Sequence, residues 1–195
     1  MKDRFRDKFR DRLAQHLNSL GIGAELAERG RPEERLGQIW YGRFLGVANH
    51  SLGVIDIRDG SVRWINTARY GGKNPTWSVI FGIPDQRPFS KHKAVNIEAV
   101  AKRRRVIGEV LDVTWRGKDH HTGLAEALYS DDAVKALAKS YVQSGIILGI
   151  RSYARDFHGW TLTVDNLTGQ FEPTHQDWST IQKIANRVLS SPRTY

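Results

Sequence analysis

The sequence predicts an α+β fold in which a twisted, mostly antiparallel sheet is flanked by N-terminal, intervening and C-terminal helices. Apolar residues recur every three or four positions near both ends of the 195-residue chain, which is typical of amphipathic helices. From Leu36 onward, short runs of aromatic and β-branched residues are separated by Gly and Asn, as strands are by turns. The hydrophobic fraction of 39% is sufficient for one compact core.

The first helix is predicted over residues 3–20. Its apolar face is formed by Phe5, Phe9, Leu13, Leu17 and Leu20. Charges of alternating sign occupy the other positions, and Gly21 can end the helix. A short second helix is predicted over residues 24–29. We therefore expect residues 1–30 to form an amphipathic helical arm, which contacts the body, another copy of the chain or a protein partner, and residues 31–195 to form a single α+β domain.

The clearest strand signal is an Asp-Gly turn at positions 59–60, between two alternating runs at 54–58 and 61–65. A two-residue loop sets Asp56 opposite Arg63 on the exposed face of the resulting hairpin. The same register predicts a buried face formed by Ile55, Ile57, Val62 and Trp64.

Other alternating runs extend the predicted sheet. Trp77, Val79, Phe81 and Ile83 share one side of a strand. Strands are also predicted over residues 39–47, 106–115, 146–155 and 160–166, with a turn at 156–159.

Two helices are predicted in the last third of the chain. The first follows the capping sequence Ser130-Asp131-Asp132, and its apolar face comprises Val134, Leu137, Ala138 and Tyr141. The second begins after Thr174, with Asp177 three residues later as in a capping box. Its apolar stripe comprises Trp178, Ile181, Ile184, Val188 and Leu189.

The charge of +9 is concentrated in the middle of the chain. Residues 61–118 contain twelve Lys and Arg against four Asp and Glu, whereas the two flanking segments nearly balance. Lys and Arg bind phosphates with release of counterions, and aromatic rings can stack on exposed bases. The candidate residues are Arg69, Tyr70, Lys73, Lys91, Lys93, Lys102, Arg103, Arg104, Arg105, Arg116 and Lys118. We therefore expect a non-catalytic protein that binds an anionic partner, nucleic acid first, through one basic surface.

Two alternatives remain open. The basic surface can serve solubility or assembly in a protein-interaction or small-ligand module without a nucleic-acid role. The third reading is a metal-assisted hydrolase that uses the loop 116–123, where His120 and His121 are weak candidate ligands or bases. Adjacent residues rarely point at one metal, so a surface loop with Thr122 as a capping residue is the simpler interpretation.

Common catalytic patterns are missing from the sequence. It contains no phosphate-binding P-loop, no Gly-x-Ser-x-Gly elbow and no His-Glu-x-x-His. A restriction-type nuclease core requires an acid-x-Lys triplet, but Arg58 follows Asp56 and Leu111 follows Glu109 at that spacing. The chain has no Cys, which excludes disulfides, thiol nucleophiles and Cys-bound metals. We expect no cofactor, and the sequence favours a non-enzymatic role without deciding against the hydrolase.

No signal peptide or bilayer-spanning apolar run is recognisable in the sequence. The N-terminal pattern has Phe and Arg, as membrane-surface helices do, but its Asp residues dilute the positive charge. We therefore expect a cytoplasmic protein without a membrane partner.

Overall fold

The structure is a computed structural model that describes residues 8–36, 49–71, 74–88, 94–104, 109–120, 122–155 and 157–192. Its helices are α1 (Phe9–Ser19), α2 (Leu124–Tyr129), α3 (Asp132–Gln143) and α4 (His175–Ser190), with a 3-10 segment at Pro32–Arg35. Its strands are β1 (Ala24–Leu26), β2 (Asn49–Ile57), β3 (Trp64–Tyr70), β4 (Thr76–Pro84), β5 (Asn96–Arg103), β6 (Val110–Lys118), β7 (Ile147–Arg155) and β8 (Phe157–Leu167).

The eight described strands form one sheet in the order β1-β2-β3-β4-β8-β7-β5-β6. Every neighbouring pair is antiparallel. Strands and helices are present in one structure, so the predicted α+β class is confirmed. The β7–β8 hairpin lies between β4 and β5, which makes β8 a central strand and leaves β6 at one edge.

The main core lies between the sheet and the four helices. Strand residues such as Ile65, Phe81 and Leu162 contribute from the sheet, and Leu17 and Ile184 contribute from α1 and α4. A smaller cluster lies on the opposite face of the sheet and comprises Leu36, Val54, Trp64 and Ile80. Both faces of the sheet are therefore partly covered, and the four helices pack on the face that carries the main core.

Helix α1 packs directly on the sheet. Phe9, Leu13 and Leu17 are buried in the main core, and the ring of Phe9 stacks on Trp77 at 5.8 Å between centroids. The predicted helix at 24–29 is wrong, because residues of this stretch pair with β2 as the edge strand β1. The division into an arm and a body stays a prediction, and the described part of α1 shares its core with the sheet.

The predicted hairpin exists, but its register is wrong by one residue. Asp56 is paired with Trp64, and the Ile57 N–H donates to the Arg63 carbonyl at 2.9 Å. A one-residue slip moves side chains to the other face of the sheet. Trp64 therefore belongs to the smaller cluster instead of the predicted face, and Asp56 accepts a hydrogen bond from Arg31 at 2.8 Å instead of opposing Arg63.

The reason for the shift is the length and anchoring of the connection. The chain leaves β2 at Ile57 and enters β3 at Trp64, so the loop is longer than the two predicted residues. Gln182 of α4 accepts from the N–H groups of Ser61 at 2.9 Å and Val62 at 3.3 Å. This long-range contact stabilises a loop conformation that the local Asp-Gly signal does not encode.

The remaining strand predictions agree with the structure to different extents. The alternation over residues 77–83 is confirmed, since Val79, Phe81 and Ile83 are buried in the main core. The turn between β7 and β8 is tighter than predicted, because Arg155 is already paired with Phe157. Strand β5 and helix α2 were not predicted. The predicted strand at 39–47 lies outside the described residues.

Both predicted C-terminal helices are confirmed together with their caps. The Asp131 side chain accepts from the N–H groups of Ala133 and Val134, at the start of α3. Thr174 and Asp177 form the predicted capping box of α4. These local signals were sufficient because a cap is made by residues two or three positions apart.

Replacement of Asp131 by alanine is expected to cost about 1–2 kcal/mol of unfolding free energy at neutral pH. The hydrogen bond from Lys183 and those from the α3 backbone lower the pKa of Asp131. A folded-state pKa below the unfolded value of about 3.9 stabilises the fold above that pH, and this contribution is lost as the pH falls further. Urea unfolding at pH 7 and pH 3 measures it. D132A removes the neighbouring exposed carboxylate, and an equal loss there would contradict the capping role.

Within the described ranges, no helix combines the length and the apolar character needed to cross a bilayer.

Candidate anion-binding surface

Five of the eleven residues predicted to bind anions lie on one hairpin, β5–β6. Lys102 and Arg103 end β5 and Arg104 follows it, whereas Arg116 and Lys118 lie near the end of β6. All five side chains are exposed. Because the strands are antiparallel, the two groups lie toward opposite ends of the hairpin, roughly 17 Å apart at the rise of an extended strand.

Arg69 and Tyr70 lie elsewhere in the sheet. They end β3, which is separated from β5 by β4, β8 and β7. Four strand spacings place β3 roughly 19 Å from β5. The structure therefore does not bring these two residues next to the β5–β6 hairpin. The predicted site residues Lys73, Lys91, Lys93 and Arg105 lie outside the described part of the chain, as does His121.

Lys102 already has partners in the fold. Its ammonium lies 3.4 Å from the carboxylate of Asp112, which also pairs with Lys135 at 3.0 Å and accepts from the Tyr129 hydroxyl at 3.0 Å. The hydrogen bond from Lys135 is the main cause of a lowered pKa of Asp112, and it raises the pKa of Lys135 in return. Asp112 is therefore an ionised centre that holds two lysines at this edge.

Tyr129 is part of this cluster and was not predicted. The Lys102 and Lys135 ammonium groups lie 4.9 Å and 4.5 Å from the centre of its ring, within cation–π range. The side chain comes from the last residue of α2, far from β5 in sequence. No sequence signal joins Tyr129 to Lys102, because only the packing of α2 beside β6 brings them together.

Three other basic side chains lack internal contacts of the kind that Lys102 makes in the described structure. They belong to Arg104, Arg116 and Lys118. Among the described residues, none of the three side chains takes part in a hydrogen bond or an ion pair. Glu98 is the register partner of Arg116, and their side chains form no ion pair. These three cations can therefore bind an external anion without breaking an internal contact.

Arg87 belongs to the same basic segment of the sequence but has a structural role. Its guanidinium donates to the carboxylate of Asp85 at 2.9 Å and to the carbonyls of Val188 and Ser191 at the end of α4. Charge counting along the sequence cannot separate a cation of this kind from an available one.

Only part of the predicted loop 116–123 is a loop, because residues 116–118 belong to β6, and Asp119 and Thr122 accept hydrogen bonds from N–H groups in the first turn of α2. Asp119 accepts from the Thr122 hydroxyl and, at 3.3 Å, from the Ala125 N–H. Thr122 accepts from the Leu124 N–H at 3.2 Å, but it lies one residue before the N-cap position, which is Gly123. In the described ranges, no group of three His, Cys, Asp or Glu side chains could hold a metal ion.

No family model and no curated protein sequence matches the chain. Among solved structures, the chain is similar to the mycobacterial trehalose monomycolate transport factor A, TtfA. The identity is 12% and the TM-score is 0.47, over 97% of this chain and 99% of that one. A similarity of this size transfers no residue role to this chain.

Proposed function

We propose that the protein binds nucleic acid without catalysis, through an anion-binding surface formed by Arg104, Arg116 and Lys118 on the β5–β6 hairpin. The observation that supports this proposal is that all three side chains are exposed and have no hydrogen-bond or ion-pair partner within the described structure. The hairpin is at the edge of the sheet, so an extended ligand can approach it without displacing a strand.

The chemistry of the three side chains favours a polyanion. Arg offers a planar set of donors that fits phosphate oxygens, and Lys contributes a point charge. Two separated groups of cations suit a chain of phosphates better than a single small anion. Each phosphate contact to a single strand adds about 0.7 to the slope of log affinity against log salt.

Simultaneous replacement of these residues, R104Q/R116Q/K118Q, is expected to weaken binding to a 20-nucleotide single strand about tenfold or more at 50 mM salt. The salt slope should fall by about 2, because three phosphate contacts are lost. Fluorescence anisotropy with labelled RNA, single-stranded DNA and duplex DNA, from 50 to 300 mM salt, measures both quantities.

The matched control is R35Q/K139Q/R187Q, which removes three cations elsewhere that also have no described side-chain partner. It should preserve the affinity and the slope. Equal losses in the two triple variants would show that only net charge matters. No salt-dependent binding of the native protein to any of the three probes would overturn the proposal and favour the protein-interaction or small-ligand reading.

A further inference from the structure

A second basic feature lies far from the β5–β6 hairpin, near the other edge of the sheet, where α1 packs on β2. Arg10, in the first turn of α1, is only 4% exposed. Its Nε lies 3.4 Å from the Asp11 carboxylate and its Nη1 lies 3.4 Å from the Ala27 carbonyl. Both contacts are long for charge-assisted hydrogen bonds, which are commonly 2.7–2.9 Å.

The other buried charged side chains are compensated better. Asp85 and Asp131 each have a cation within 2.9 Å, from Arg87 and Lys183. Asp165 has its pKa raised by burial and can take up a proton. Arginine side chains stay charged in proteins, and a buried charge is stabilised by a close counter-ion.

The guanidinium group of Arg29 lies close to that of Arg10. Gly53, at the bulge of β2, has φ +118, and a Cβ there would lie 2.3 Å from Nη1 of Arg10 and 2.8 Å from Nη1 of Arg29. The two cationic groups therefore converge on one point above the Gly53 backbone. A side chain at position 53 would occupy the space that they use.

Local acceptors satisfy Arg29 only in part. Its Nη2 donates to the Ser51 carbonyl at 2.8 Å and lies 3.2 Å from Glu34, and its side chain is half exposed. Asp11 pairs with Arg10 and Glu34 pairs with Arg29, and among the described residues no carboxylate lies within ion-pair distance of both arginines. Like charges held together repel, and an anion that contacts both guanidinium groups lowers this repulsion directly.

We propose that Arg10 and Arg29 bind a small phosphate-type oxyanion over Gly53, either inorganic phosphate or a terminal phosphate monoester. Two guanidinium groups present several N–H donors to the tetrahedral oxygens, and the anion takes the place of the long Asp11 contact at Arg10. The anion reaches the site from the side of Arg29, since the Arg29 side chain is half exposed while that of Arg10 is buried. This site is separate from the β5–β6 surface and does not depend on nucleic-acid binding.

Thermal unfolding of the full chain tests the proposal with inorganic phosphate as the probe. With 20 mM phosphate and a dissociation constant near 1 mM, the melting temperature should rise by about 4 °C over chloride at equal ionic strength. R29Q should lose the phosphate shift, measured against its own melting temperature in chloride. R35Q, which removes an exposed arginine of the 3-10 segment, should keep the shift.

Phosphate stabilises many proteins by exclusion from their surface, so the variants decide. A shift that survives in R29Q, or no shift in the native protein, would overturn the proposal. R10M keeps an apolar stem of similar length and removes the charge. It should lose the shift and melt no lower than the native protein in chloride, whereas a purely structural Arg10 predicts a lower melting temperature in both salts. A 5′-phosphorylated dinucleotide that competes better than free phosphate would identify a monoester as the ligand, and equal or weaker competition would identify inorganic phosphate.

Discussion

Asp85→Ala is expected to lower the melting temperature by about 10 °C, from a loss of about 3–4 kcal/mol. The Asp85 side chain is only 3% exposed. Its carboxylate accepts from the Arg87 guanidinium at 2.9 Å and from the indole N–H of Trp160 at 2.9 Å. Removal of the carboxylate breaks the ion pair with Arg87 and takes this acceptor away from the buried indole N–H of Trp160.

The effect should extend to the end of α4. Arg87 also donates to the carbonyls of Val188 at 3.3 Å and Ser191 at 3.2 Å, so Asp85 orients the arginine that holds the last turn of this helix. Circular dichroism melting measures the loss of stability. W160F removes the N–H together with part of the buried ring system, so it should cost about 1–2 kcal/mol for the hydrogen bond plus a cavity term.

The control for this prediction is D59A, the same chemical change at an exposed position of the β2–β3 loop. It should change the melting temperature by less than about 2 °C, since surface substitutions commonly stay within 0.5 kcal/mol. Similar melting temperatures for D85A and D59A would refute the structural role of the Asp85 network.

Gly82→Ala is expected to destabilise the protein by about 3 kcal/mol, because the new methyl group collides with Trp64. A Cβ at position 82 would lie 1.9 Å from Cε2 of the indole. Trp64 cannot move away easily. It packs edge to face on Phe157 at 5.0 Å between centroids, within the smaller cluster.

A double-mutant cycle of unfolding free energies distinguishes this collision from a general sensitivity of strand β4 to substitution. W64L alone removes a buried aromatic ring and should itself cost about 3 kcal/mol. In G82A/W64L the collision is gone, so the double variant should lose clearly less than the two single losses combined. Urea unfolding of all four proteins gives the coupling free energy. G169A is the control, since in the described structure no heavy atom beyond the adjacent residues lies within 4 Å of that Cβ. Strict additivity would contradict the collision.

Local patterns in the sequence were most informative where the interacting residues are neighbours. The caps of α3 and α4 and the alternation of β4 are examples, and all three are confirmed. The register of the β2–β3 hairpin is the contrary case, because Gln182 of α4 stabilises the loop from a distance of more than a hundred residues. A pattern of period two also cannot show which strand pairs with which, so the position of β8 beside β4 was not predictable.

The same distinction applies to the candidate site. Counting charges along the sequence located the basic segment, but it could not distinguish Arg87 from Arg104, which both lie in that segment. Only the structure shows that Arg87 is bound to Asp85 while Arg104 has no such partner among the described residues. The charge pattern of the first helix cannot single out Arg10, since the groups that contact its buried side chain, Ala27 and Gly53, lie far away in the sequence.

The insertion of β7–β8 between β4 and β5 has a consequence for synthesis on the ribosome. Strands β1 to β4 and strands β5 and β6 emerge first, but in the described sheet these two groups have no common boundary without the C-terminal hairpin. The nascent chain must therefore hold two open sheet edges until residues near Leu167 have left the exit tunnel. Such late, long-range pairing slows folding and exposes the edges to aggregation meanwhile.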